Sequence, residues 1–350
     1  MRRLALASVA LSMALYAAPD PLRAAEPAAD DGEALARLTR TLAATEAKEG
    51  ASSPYLLPLI EELAQLRLRR GDLGEAAGLR QRALKIAIAR FSCASPSAAE
   101  AMVALALVDI DRRRYLDAEP LLIAAQGVLA ERVAHDHPAI AAALAALARI
   151  ALARGDMVEA EKSARQAVEI ARGNPHGRST EPQHALGAAL AAQERFDEAK
   201  QVLSEALAQD RKHQGPEGID TARSLAQLAN AELRAHHFAE ALPLIQQAAA
   251  IDQARLGPAH PFIADDLFDV GLAYDGLKRS ADARRAFAAA IEVLQRGAER
   301  NSPRVAYVAQ ELARLDRQNG NEAEAETASR DAKRILHRAE EEERRRERRM

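Results

Sequence analysis

The chain has 350 residues and a formal net charge of -3, with acidic and basic side chains interspersed. This charge balance excludes the strongly basic surface that is typical of nucleic-acid-binding proteins. Aromatic residues make up only 3% of the sequence and tryptophan is absent, which excludes a large aromatic core. The abundance of alanine and leucine favours an all-helical chain.

The first predicted element is an export signal at residues 1–25. An arginine pair precedes a 15-residue apolar run, Leu4–Ala18, which is too short to cross a bilayer comfortably. Small residues follow, and we expect cleavage within residues 17–25. The pattern therefore predicts an exported protein, periplasmic or secreted, with no stable membrane span after cleavage. A retained N-terminal anchor is the alternative.

Residues 26–52 are predicted to form a leader and an N-terminal capping helix. Leu35, Leu38 and Leu42 follow helical spacing, so residues 31–48 are interpreted as a solitary second helix. Such a helix would cover the apolar face of the first complete repeat, as the ends of repeat arrays require for solubility.

The central segment, residues 53–336, contains an alanine that recurs at intervals of 42, 42, 42, 39, 42 and 42 residues. These alanines are Ala76, Ala118, Ala160, Ala199, Ala241, Ala283 and Ala325. A small residue precedes each alanine by twelve positions, at Ala64, Ala106, Ala148, Gly187, Ala229, Gly271 and Ala313. A fixed period of this length indicates a repeat array. Seven helix-turn-helix repeats are therefore predicted, in which small residues allow the helices to approach closely.

Two phrases add a family resemblance, Tyr115–Leu122 (Tyr-Leu-Asp-Ala-Glu-Pro-Leu-Leu) and Leu256–Pro261 (Leu-Gly-Pro-Ala-His-Pro). The repeat resembles the tetratricopeptide repeat (TPR), and its longer period is similar to that of the kinesin-light-chain subgroup. The resemblance implies an all-α fold, an α-solenoid superhelix of seven repeats plus the capping helix. It also implies a role in binding proteins or peptides.

The single 39-residue interval places a three-residue deletion near Gly173–Gly177, where a change in stacking angle or a shortened loop would follow. Thr180 and Gln183 predict a capping box at the start of the next helix, and His137 and His260 are predicted to cap theirs. Cys93, the only cysteine, is expected to be buried. Residues 337–350 are predicted to form a charged C-terminal helix extension.

The sequence offers no catalytic motif. A phosphate-binding glycine loop, an H-E-x-x-H pair and a C-x-x-C pair are all missing from it. The histidine pairs at 135 and 137 and at 236 and 237 have side chains that metals bind, but the sequence places no third ligand near either pair. We therefore predict no catalytic residues, no metal and no cofactor.

The resemblance implies that the first helix of each repeat lines a concave groove. Polar and aromatic groups on that face concentrate in repeats five to seven, where the predicted binding residues are Arg223, Asn230, Arg234, Asp265, Phe268, Tyr307, Gln310 and Arg314. Arg149 and His184 are expected on the same face of earlier repeats. The arginines would suit a carboxylate or an acidic segment of a partner. An ordinary solvated helix face is the alternative. Kinesin-light-chain-like repeats often carry an asparagine where this chain has Asp269, a departure that weighs against their way of gripping a peptide.

Three functions remain open at this point. The first is a non-enzymatic scaffold that is exported and binds a protein or peptide in the groove, with no nucleic-acid partner. The second is a structural protein that assembles into a homo-oligomer. The third, which has no positive support in the sequence, is an enzyme or a metal-dependent factor.

Overall fold

The computed structural model describes residues 30–173, 179–258, 260–296 and 303–347, and these ranges contain only α-helices as regular secondary structure. Their bounds are α1 Asp30–Glu49, α2 Leu56–Arg69, α3 Leu73–Phe91, α4 Pro96–Asp111, α5 Tyr115–Arg132, α6 Pro138–Ala153, α7 Met157–Gly173, α8 Glu181–Ala192, α9 Phe196–Gln214, α10 Ile219–Arg234, α11 Phe238–Leu256, α12 Pro261–Gly276, α13 Ser280–Arg296, α14 Pro303–Gln318 and α15 Glu322–Glu347. The predicted all-α, TPR-like fold is confirmed. The predicted export signal and most of the predicted deletion site, residues 173–177, lie outside the described residues.

Two compact units divide the chain, Met1–Pro216 and Glu217–Met350, here called unit 1 and unit 2. Unit 1 contains the capping helix α1 and repeats one to four, and unit 2 contains repeats five to seven. Within each unit the two helices of a repeat pack against each other, as α4 does with α5 and α12 with α13. Each second helix then packs against the first helix of the repeat that follows it in the same unit.

Helix α1 covers the start of unit 1, as the sequence predicts. Its Leu38 and Leu42 are buried in one apolar cluster with Leu56 and Ile60 of α2. Without α1 this side of α2 would be exposed to water, so the burial confirms the capping role.

The alanine register marks buried helix contacts. All seven alanines that define the repeat are fully buried. At Gly187 and Gly271 even a methyl group would not fit, because an added Cβ atom would lie 2.4 Å from a side-chain carbon of Leu203 or Phe287, respectively. The large residue four positions after the alanine therefore packs directly on the small residue of the first helix.

The turn inside each repeat has the same backbone conformation. A residue with positive φ, from 58° at Arg113 to 79° at Gly155, lies five positions before every repeat alanine. These residues are Gly71, Arg113, Gly155, Glu194, His236, Lys278 and Gly320. The next residue donates its N–H to the carbonyl five positions back, as Arg279 does to Tyr274 at 2.8 Å. This is the Schellman ending of an α-helix, in which glycine is the preferred residue.

Replacing Lys278 by glycine is expected to stabilise unit 2 by about 1 kcal/mol, because a side chain in the left-handed region is strained and glycine is not. The reverse change at the equivalent position, Gly320→Lys, should cost a similar free energy. Urea unfolding followed by circular dichroism measures both. A destabilising Lys278→Gly would contradict this account of the turn.

Helix caps are formed by Ser95 and by the two predicted histidines, His137 and His260. Ser95 Oγ accepts the N–H of Ala98 at 3.2 Å, and His137 Nδ1 accepts that of Ala139 at 3.3 Å. His260 Nδ1 accepts the N–H of Phe262 at 3.2 Å. Each bond satisfies a backbone donor that the helix itself leaves unpaired, so the predicted caps at His137 and His260 are confirmed.

Two local predictions are wrong. Thr180 does immediately precede α8, but its hydroxyl donates to buried Asp210 Oδ2 of α9 at 3.0 Å instead of capping the helix. Cys93 is exposed, because α3 already ends at Phe91 and the cysteine lies in the turn before α4. A helix that ended later would have carried Cys93 along its apolar side.

Candidate functional site

The predicted binding residues of unit 2 lie on its first helices α10, α12 and α14. We call this surface the first-helix face; it comprises Arg223, Asn230, Arg234, Asp265, Phe268, Tyr307, Gln310 and Arg314. Phe268 and Arg314 are half-buried and the others are exposed. On α10 the exposed residues alternate with buried Leu225, Ala229 and Leu233, which hold the helix in the core and leave the polar side outward.

An aromatic pair connects the face to the core. The Phe268 ring centroid lies 5.5 Å from that of Phe287 and 5.4 Å from that of Tyr307. Phe287 is fully buried, whereas Tyr307 is 55% exposed. Tyr307 therefore presents a large ring to solvent while Phe268 and the core fix its position. Exposed aromatic rings held in this way are typical of protein interfaces.

Ion pairs and hydrogen bonds cross between neighbouring first helices of the face. Arg314 of α14 donates to Asp275 of α12 at 2.6 Å and to Glu311 at 2.8 Å. Arg304 of α14 pairs with Asp265 of α12, and the Asn230 amide of α10 lies 3.4 Å from Asp269 Oδ2 of α12. Part of the polarity of the face therefore joins one repeat to the next.

The two candidates in unit 1 take structural positions. Arg149 of α6 pairs with Asp111 at 2.8 Å and with Glu181 at 3.3 Å, so it joins three successive first helices. His184 is only 4% exposed, which leaves its ring out of reach of a partner. The accessible candidates are those of unit 2, although their role in binding stays a prediction.

A cluster of four carboxyl groups overlaps the face at Asp265. It comprises Asp252 of α11 and Asp265, Asp266 and Asp269 of α12. Burial and, to a smaller extent, the charges of the three neighbours together raise the pKa of Asp266 to about 9. Burial also raises the pKa values of Asp252 and Asp269 to about 7, with Asp265 adding to both. Asp252 Oδ1 and Asp266 Oδ2 are buried without a hydrogen-bond partner among the described residues.

Sequence reasoning missed this cluster. The signal was present, since α12 contains four aspartates and no lysine or arginine. Helical spacing places Asp265 and Asp269 on one side of the helix, where like charges four residues apart repel each other. The contribution of Asp252 depends on packing between α11 and α12, which the repeat register alone does not reveal.

Within the described ranges, no three histidine, cysteine or acidic side chains are grouped so that they could hold a metal ion. His137 and His260 act as caps, and His237 Nδ1 lies 2.8 Å from buried Glu232 Oε2. None of the helices in the described part of the chain is both long and apolar enough to span a membrane.

The geometry of stacked helix pairs agrees with the sequence comparison. The profile of the tetratricopeptide repeat family matches residues 97–173, 180–254 and 228–296, more than half of the chain. The protein belongs to the tetratricopeptide repeat family. A comparison with curated proteins found no match.

Solved structures of similar fold include a Rap protein complexed with competence and sporulation factor. It is 12% identical, with a TM-score of 0.56, over 90% of this chain and 99% of that one. The apo form of RapI is 16% identical, with a TM-score of 0.55, over 81% and 99%. A putative kinesin light chain from Podosopora anserina is 26% identical over 56% of this chain and 95% of that one, with a TM-score of 0.40. The two Rap proteins are similar to this chain in fold alone.

Proposed function

We propose that the protein is a non-catalytic scaffold that binds a protein or peptide partner on the first-helix face of unit 2. The observation that carries this proposal is the Phe268–Tyr307 pair, which holds an exposed ring among polar groups. Aromatic side chains surrounded by polar ones supply contact area together with hydrogen bonds at an interface. Tetratricopeptide repeats are typical protein-interaction modules, which supports the same function.

A structural relative adds support of a general kind. The Rap protein described above was solved together with competence and sporulation factor, so a solenoid of this fold is able to hold a second molecule. We further propose that the protein is exported, on the basis of the N-terminal arginine pair and apolar run. Cell fractionation and N-terminal sequencing of the mature protein test the export; a cytoplasmic protein that retains Met1 would contradict it.

Replacing Tyr307 and Gln310 together by alanine is expected to lower partner capture at least tenfold. Both side chains are exposed on α14, so the change removes contact area without opening the core. The measurement is affinity purification of the tagged protein from its native cells, with quantitative mass spectrometry of what is retained.

The matched control replaces Gln246 and Gln247 of second helix α11 by alanine, since both are exposed away from the first helices. Circular dichroism confirms that each variant is folded. If the control loses the same partners as Tyr307→Ala with Gln310→Ala, or if neither variant loses any, the face is not the binding surface.

A structural role in a homo-oligomer is the second candidate. Unit 1 favours it, because Leu116 and Val158 occupy equivalent positions of successive second helices and are 81% and 76% exposed. Paired apolar residues at such positions suit contact with another copy. Light scattering that shows a monomer at all concentrations would contradict this candidate.

A further inference from the structure

Two arginines of the first-helix face, Arg314 and Arg223, and the neighbouring Arg304 of α14 are already matched by carboxylates of the protein itself. Arg314 pairs with Asp275 and Glu311, Arg304 pairs with Asp265, and Arg223 lies 3.3 Å from Asp220. A carboxylate of a partner would have to compete with these internal pairs. The acidic partner expected from the arginines in the sequence therefore fits the face poorly.

The carboxylates of the cluster are matched much less well. Among the described residues, two arginines act on the cluster. The charge of Arg223 lowers the pKa of Asp252, and Arg304 pairs with Asp265. Asp269 is half-buried, and the hydrogen bond found for it is the long contact with the Asn230 amide. Within the described ranges, four carboxyl groups therefore face two arginines at this part of the face.

Buried oxygens without partners point in the same direction. Asp266 and Asp252 are 4% and 6% exposed, and each has a carboxylate oxygen that no hydrogen bond satisfies among the described residues. The Asp266 carboxyl lies within electrostatic range of the other three members of the cluster. Burying such groups costs stability, and groups of this kind cluster at functional sites.

We propose that the first-helix face of unit 2 binds a basic peptide segment, with a lysine or arginine side chain of the partner seated on Asp269 and Asp265. This inference rests on the proposed function and names the chemistry of the partner. The cation relieves the repulsion between the two carboxylates, which lie one helical turn apart on α12.

The aromatic pair selects a peptide over a small free amine. Phe268 directly precedes Asp269, and its ring lies 5.4 Å from that of exposed Tyr307. The stem of a bound lysine or arginine, or the residue beside it, packs on these rings, where a cation also gains from the ring faces. A free polyamine would use the carboxylates and leave the rings bare.

The test measures binding of a fluorescent hexa-arginine peptide to the full chain by anisotropy at low ionic strength. Asp269→Asn keeps the size of the side chain and removes its charge, and we expect it to weaken binding at least tenfold. Glu292→Gln on second helix α13 makes the same change in net charge at an exposed site, and binding should stay within twofold of the parent protein. Asp265→Asn provides a second variant, expected to weaken binding at least threefold, should Asp269→Asn fail to fold.

The proposal is overturned if Asp269→Asn binds the hexa-arginine peptide as tightly as Glu292→Gln does. The same comparison applies to Asp265→Asn where it is used in place of Asp269→Asn. Tighter binding of a hexa-glutamate peptide, or binding of spermidine with no binding of hexa-arginine, also overturns the proposal. If these results are negative while alanine at Tyr307 and Gln310 still abolishes partner capture, the face binds a partner of different chemistry. The proposed function would then stand and the basic partner would not.

Discussion

Replacing Phe287 by alanine is expected to lower the free energy of unfolding of unit 2 by about 3–5 kcal/mol. Phe287 is fully buried and lies in the core with Ile263, Leu294 and Val305. Its removal leaves a cavity that α12, α13 and α14 border, and helices fixed by two neighbours close such a cavity only in part. Urea unfolding of the full chain, followed by circular dichroism, measures the loss. A loss under about 1 kcal/mol would contradict the assigned packing.

A double-mutant cycle tests the contact partner of Phe287. Gly271→Ala should destabilise by about 1–3 kcal/mol, because its Cβ would meet the Phe287 ring. Phe287→Leu makes room at that contact, so the two changes together should cost less than the sum of their separate effects. Additive effects would show that the two residues do not press on each other. Gly127→Ala is the matched control, because an added Cβ at Gly127 meets no atom within 4 Å and its φ is not positive. Gly50 is equally open, but its positive φ would strain an alanine.

The second large effect is a loss of stability as the pH rises. Folding raises the pKa of Asp266 to about 9 and those of Asp252 and Asp269 to about 7, whereas unfolded aspartates titrate near 3.9. Between these limits the native state binds more protons than the unfolded state, so its stability falls with increasing pH. This contribution to stability is fully present below about pH 4 and is lost as the pH rises through the folded pKa values. Asp266 alone binds about one proton more in the native state throughout this range, so we expect it to lower the stability by about 4 kcal/mol between pH 5 and pH 8.

Asp266→Asn isolates this contribution. The amide cannot ionise, so the fall in stability between pH 5 and pH 8 should be shallower than in the parent protein. The slope is the criterion, because the offset depends on how the amide is accommodated. Glu292→Gln on exposed α13 should leave the slope unchanged. A slope that is the same in all three proteins would show that Asp266 titrates normally.

The fold was predictable because the repeat pattern records close packing. Ala241 and Ala283 are buried at the positions that the register indicates, and Gly271 is small because Phe287 lies against it. These constraints act along one helix or between adjacent helices, so they recur with the period of the chain. The capping role of α1 followed from the same spacing.

The site was less predictable because it depends on contacts between repeats. The sequence placed Tyr307 and Asp265 on one face, and the structure brings their helices together there. It did not show that Arg304 and Arg314 are engaged by carboxylates of α12, nor that Asp252 lies near Asp266. Pairs of charges 39 residues apart are set by the stacking of helices, and composition alone does not reveal which of them meet. Cys93 shows a further limit, since it lies just past the end of α3, in the turn before α4, and is exposed there.

The inter-repeat pairs also limit how function can be tested. Arg314 joins α14 to α12, so reversing its charge would disturb packing as well as any contact with a partner. Tyr307 and Gln310 are better probes, because they are exposed and their loss leaves the bridges of Arg304 and Arg314 intact. Asp269 is half-buried, and for that reason its test uses asparagine, which has the same size and shape.

Site-specific photo-crosslinking shows whether a partner contacts the first-helix face of unit 2. A benzophenone amino acid is placed at Tyr307 in one protein and at Arg285, which is exposed on second helix α13, in another. Both are expressed in native cells and irradiated, and crosslinked proteins are identified by mass spectrometry. We expect a specific partner to be crosslinked by the benzophenone at position 307 and not by that at position 285. Crosslinks at position 285 alone, or the same set of proteins at both positions, would contradict this expectation.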